Sequence, residues 1–121
     1  MKATAATLKE FFSGFGLKAY LPHGVPESES PPYITYNLSE PDWATQGSMY
    51  CQVWYPRGRM GELLAKADAI MAAIGEGVKL ATENGYVMLY LATPKGQLLN
   101  DEWTDSVYIG LLINSYHMPG E

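Results

Sequence analysis

The sequence predicts an α+β domain in which two helices pack on one face of a mostly antiparallel sheet of four to five main strands. Three observations predict it. Two segments repeat apolar residues at helical spacing, several others alternate apolar and polar side chains with period two, and the order is helix, strands, helix, strands.

The first helix is expected over residues 4–15, where Leu8, Phe11, Phe12 and Phe15 make one apolar stripe. Thr4 is placed to cap its start and Gly16 to close it in the left-handed conformation. A short strand over Leu17–Leu21 ends at Pro22. The stretch PHGVPESESPP, residues 22–32, holds four prolines and reads as a long exposed loop. Tyr33–Leu38 and Met49–Tyr55 are strands rich in aromatic and β-branched residues, separated by turn material that includes Trp43. A second helix opens near Arg59, aligns Met60, Leu63, Leu64, Ala67, Ile70, Met71 and Ile74, and stops at Gly75 and Gly77. Val78–Ala81 is a brief strand, and Asn84-Gly85 signals a tight hairpin turn. Tyr86–Thr93 and Ser106–Tyr116 are the most apolar strands and are expected at the centre. Residues 94–105, PKGQLLNDEWTD, read as a second long polar loop with Trp103 in it.

Strand alternation divides the side chains into two sets. One is almost wholly aliphatic: Ile34 and Leu38 with Tyr36, then Met49, Cys51, Val53, Val87, Leu89, Leu91, Val107, Ile109, Leu111 and Ile113. It belongs under the helices. The other carries Tyr33, Tyr50, Trp54, Tyr86, Tyr90, Tyr108 and Tyr116, with Thr35, Asn37, Gln52, Met88, Leu112 and Asn114 among them. Two helices of this length cover one side of such a sheet, not both. The tyrosine set then meets either solvent, with loops folded back over it, or a partner, and tyrosine and tryptophan are interface residues.

Composition narrows the function further. The chain has 121 residues, 47 % of them apolar and 17 % charged, which is the profile of one folded domain spanning 1–121. Apolar runs fall short of a membrane span, and Lys9 and Glu10 interrupt what a signal peptide would need, so a cytoplasmic protein is expected. A net charge of −5 argues against a nucleic-acid backbone as the main partner. Cys51 is the one cysteine, set mid-strand on the aliphatic side and so structural rather than nucleophilic. His23 and His117 have no ligand-spaced companions and are assigned to the surface.

Catalytic signatures are missing. Gly14-x-Gly16-x-x-Ala19 matches a dinucleotide fingerprint in letters, but a helix precedes it where a strand is required. Asp101, Glu102 and Asp105 lack the glycine and distal glutamate of a calcium loop. Glu40 and Asp42 flank Pro41 with nothing to raise a pKa. No catalytic, cofactor or metal residue is therefore expected. Arg57 and Arg59, the one close basic pair, suit an intersubunit salt bridge better than a phosphate.

The opening FFSGFG, the strand PPYITYNLSEPDW, the strand and helix SMYCQVWYPRGRMGELLAKADAI and the last strand SVYIGLLINSYH resemble tail-completion proteins of tailed bacteriophages and prophages. The resemblance extends from about Leu8 to Tyr116 and rests on element pattern, not on catalytic residues. It implies a small α+β neck protein of the tail-terminator type at the head–tail junction. Such a subunit forms a ring on the finished tail tube and docks to the head connector, with copies of itself, the tail-tube protein and the connector protein as partners. It would act in the bacterial host cytoplasm during assembly and in the virion neck. The alternative from the residues alone is a non-catalytic, aromatic-faced domain that binds single-stranded nucleic acid or a small ligand.

Overall fold

The computed structural model describes residues 2–37, 46–100 and 106–119, leaving out the side chains of 93–95, 100 and 119. In chain order the elements are α1 (Lys2–Ser13), β1 (Ala19–Tyr20), β2 (Tyr33–Tyr36), β3 (Gln46–Pro56), α2 (Met60–Ile74), β4 (Val78–Thr82), β5 (Gly85–Asn100) and β6 (Ser106–Pro119). Both helices lie where the apolar spacing puts them. The first begins earlier than expected, so Thr4 is buried inside α1 instead of capping it, while Gly16 takes the expected positive φ of 86° beyond the helix end.

The sheet corrects the expectation. It is a curled, mixed half-barrel rather than a sheet of four to five antiparallel strands, and strand exceeds helix by 47 % to 27 %. The strand order is β1-β2-β3-β6-β5-β4, six strands, or seven when the two halves of β5 are counted separately. The pairing of β1 with β2 is parallel, with Ala19 opposite Ile34, and the other pairings are antiparallel.

Three further expectations change. Residues 94–100 are strand, not loop, because β5 continues through them to pair Gly96–Asn100 with Leu111–Val107. The strand expected over Leu17–Leu21 shortens to two residues. His117 is 2 % exposed within β6 opposite Val87, not on the surface. The loop at 22–32 contains no helix or strand. Leu38, Glu40, Asp42, Trp43, Asp101, Glu102, Trp103 and Asp105 lie outside the described residues.

The curl has a visible source. Leu91 pairs with Ile113 and Gly96 with Leu111, so residues 92–95 of β5 stand opposite Leu112 alone. Extra residues on one strand bend it and increase its twist. Pro94 falls in that irregular stretch, where a missing N–H costs no ladder bond.

The aliphatic set forms one core with the helices. Ile34, Val53, Ile109, Cys51, Leu111, Met49 and Ile113 are buried against Leu8 and Phe12 of α1 and against Leu63, Ala67, Ile70 and Ile74 of α2. Phe12 lies 5.1 Å from Tyr36, centroid to centroid. α2 packs on β3, β5 and β6, the middle of the sheet, whereas α1 packs on β1 and β4, its two outermost strands. One helix reaches both edges only if the sheet curls toward it, so the aliphatic side is the inside. Thr7 Oγ1 of α1 donates to the Ala81 carbonyl of β4 at 2.9 Å, tying the helix to that edge. No helix among the described residues is long and apolar enough to cross a membrane.

Candidate functional site

The outer, convex side carries the tyrosine set, arranged in two clusters by strand register. The first is a row of rings across four strands. Tyr33 is opposite Trp54, and Trp54 is opposite Tyr108. Trp54 stacks on Tyr108 with centroids 4.3 Å apart, Tyr33 follows at 6.2 Å from Trp54, and Tyr20 stands edge-on to Tyr33 at 6.1 Å. Cross-strand aromatic pairs of this kind hold a sheet face in register. Trp54 Nε1 donates to Thr35 Oγ1 at 2.9 Å, and Thr35 Oγ1 donates to Gln52 Oε1 at 3.0 Å. At the end of the row the Tyr20 hydroxyl donates to Glu29 at 2.9 Å, with Lys18 3.7 Å from the same carboxylate, so the 22–32 loop is tied to the row. Burial, together with the Glu29 carboxylate, raises the Tyr20 phenol above its ordinary pKa.

The second cluster is a shallow cup of about 480 Å³ lined by Tyr86, Met88, Tyr90, Tyr116 and Met118. Tyr90 and Tyr116 meet edge to face at 5.9 Å, and the Tyr116 hydroxyl donates to Gln46 Oε1 at 2.8 Å. The Tyr90 ring lies over Gly77 at the start of the edge strand: a Cβ there would stand 2.5 Å from Tyr90 Cε1. Gly77 also has φ of +145°, a conformation that favours glycine. Tyr50 is 54 % exposed, and its backbone is paired with Asn37 of the neighbouring chain segment through the Asn37 side chain and the Asn37 N–H.

The structure thus brings Tyr33, Trp54 and Tyr108 together, and Tyr86, Tyr90 and Tyr116 together, on one face with Tyr50. It does not bring the arginines there. Arg57 is exposed in the turn between β3 and α2. Arg59 donates from Nη2 to Glu62 Oε1 at 2.7 Å and lies 5.2 Å from the Tyr55 ring centroid, so it is already paired within its own chain. Its hydrogen bond also holds the Glu62 carboxyl below the usual range.

Sequence reasoning missed two members of the face. Lys79 Nζ sits 4.2 Å above the Tyr86 ring, putting a cation beside the tyrosine set. Tyr20 extends the aromatic row. The signal for Lys79 was present in the alternation of VKLAT, where Lys79 and Ala81 are exposed and Val78 and Leu80 pack against the core.

Flat rings with hydroxyl tips and two flexible methionines give this face a large apolar area with polar edges. Cys51 is fully buried, and desolvation pushes its thiol far above the ordinary value. Among the described residues no group of three or more His, Cys, Asp or Glu is placed to hold a metal ion. Comparison with protein-family models, with curated proteins and with solved structures returned no match.

Proposed function

We propose that the chain is a structural neck subunit of a tailed bacteriophage or prophage, forming a ring at the end of the tail tube and docking to the head connector. Its partners are copies of itself, the tail-tube protein and the connector protein. It works in the host cytoplasm during assembly and in the virion neck, without catalysis or cofactor. The observation that carries the contact role is the distribution of aromatics. The inner side of the half-barrel is filled by the chain's own helices, while seven tyrosines and Trp54 are gathered on the outer side. The element pattern that resembles tail-completion proteins supplies the neck assignment.

The test is light scattering of the purified chain over a rising concentration series. Tyr50→Asp is the first variant, because its side chain is largely exposed. Tyr86→Asp is the second. Both are expected to remain folded by circular dichroism and to lower the fraction of higher oligomer. Oligomers that form equally well with both variants would remove the tyrosine face from the assembly contact.

One observation favours a second reading. The cup with Lys79 on its rim has the components of a base-stacking or small-ligand site. Fluorescence titration with a single-stranded oligonucleotide in low salt separates the two readings. The net charge of −5 predicts no binding, and saturable binding lost on Lys79→Glu would replace the assembly reading.

A further inference from the structure

The two halves of β5 differ in what lies on their outer edge. β4 pairs with Gly85–Leu89 only. Among the described residues, Gly96–Asn100 pairs with β6 on one side and with no strand on the other. Alternate backbone N–H and C=O groups of an antiparallel strand point away from its partner, so this stretch turns a row of pairing groups to a side that no described strand occupies. Sheet edges are usually defended by charge, proline or a covering helix. The β4 edge is defended by α1, through Thr7. The stretch Gly96–Asn100, GQLLN, carries no charge at all.

That edge also borders a groove. Leu98 is opposite Ile109, which places it on the inner side of the sheet, yet it is 49 % exposed because it lies at the margin of α2. From the helix, Leu64, Ala67, Asp68 and Met71 form the facing wall, and Leu64 is 47 % exposed. The groove holds about 270 Å³, small beside the roughly 300–1,000 Å³ of small-molecule pockets. Its shape fits an extended chain that adds backbone to the strand edge and sets alternate side chains against Leu64 and Met71. Among the described residues of the lining, Asp68 is the one that carries a charge.

We propose that the far half of β5 and the flank of α2 form a peptide-docking groove. Its occupant is an extended segment of a partner protein that pairs as an added strand. The segment carries apolar side chains at alternate positions and a lysine or arginine that meets Asp68. This surface is separate from the tyrosine face and does not rest on the reading given to it.

The experiment selects a displayed library of random eight-residue peptides on the immobilised full chain. Enriched sequences are expected to alternate apolar and polar residues and to include a basic one. A synthetic peptide of the enriched sequence is expected to bind at least tenfold more weakly to Leu98→Glu and to Leu64→Glu, both checked for folding by circular dichroism. It is expected to slow amide exchange within Gln97–Leu99 and to bind Tyr50→Asp unchanged, which separates this groove from the assembly face. Absence of enrichment overturns the proposal. So does binding that both glutamate variants retain, or protection that falls on Tyr86–Tyr90 instead.

Discussion

Replacing Gly77 by alanine tests how the tyrosine cup is built. Two costs arise. At φ of +145° a side chain is strained, which is worth about 1–3 kcal/mol. The new Cβ would lie 2.5 Å from Tyr90 Cε1 and 3.0 Å from Cδ1, so the ring must swing away. Swinging it breaks the edge-to-face pair with Tyr116, which is worth about 0.5–1.5 kcal/mol. Together the loss comes to about 1.5–4.5 kcal/mol, read as a lower midpoint in urea at unchanged slope. The double variant Gly77→Ala with Tyr90→Ala separates the terms. Once the ring is gone the alanine costs only the backbone strain, so the two substitutions are expected to be less than additive. Strict additivity, or a Gly77→Ala protein within about 0.5 kcal/mol of the unaltered chain, would refute the claim that Tyr90 is seated on a bare backbone.

Two other outcomes follow from buried groups. Ser115 lies inside β6 between Gly47 and Leu89, and its hydroxyl has no hydrogen-bond partner among the described residues. Ser115→Ala removes that desolvated group and is expected to raise stability by about 1 kcal/mol in urea unfolding, whereas a loss would mean the hydroxyl is satisfied. Cys51, whose ordinary pKa is 9.0, has its thiol raised by burial, so above that pH the unfolded chain gives up a proton that the folded chain keeps. Stability is therefore fully present below about pH 9 and falls above it by about 1.4 kcal/mol per pH unit from this group. Cys51→Ala is expected to flatten that alkaline decline in denaturation curves collected at successive pH values. An unchanged slope would contradict the burial.

The division of the sheet into an aliphatic and a tyrosine side was legible because side-chain alternation needs no knowledge of strand order. Both helices were legible from their apolar spacing. The curl was not, since it depends on residues 92–95 standing opposite Leu112, a two-strand property that no single segment displays. The same stretch hid the length of β5: Pro94, Lys95 and Gly96 look like turn residues, and their place in a strand depends on β6 extending beside them. His117 was misplaced because the last strand was expected to stop at Tyr116, whereas β6 continues past it and the alternation of Ile113 and Ser115 carries His117 inward. Within the candidate site, the aromatic members were visible as a set. Their separation into a row and a cup was not, because register decides which rings touch. Lys79 escaped notice on a strand of five residues.

The hold of α1 on β4 also bears on the order in which the molecule can be made. Thr7 is bonded to a carbonyl 74 positions further along, and the strand that supplies it pairs in turn with β5, still later in the chain. The α1 segment thus cannot close on β4 until the 74 positions that separate Thr7 from Ala81 have been synthesised. Loops closed over such distances form slowly, so the sealing of the seam by this helix belongs among the last steps of folding.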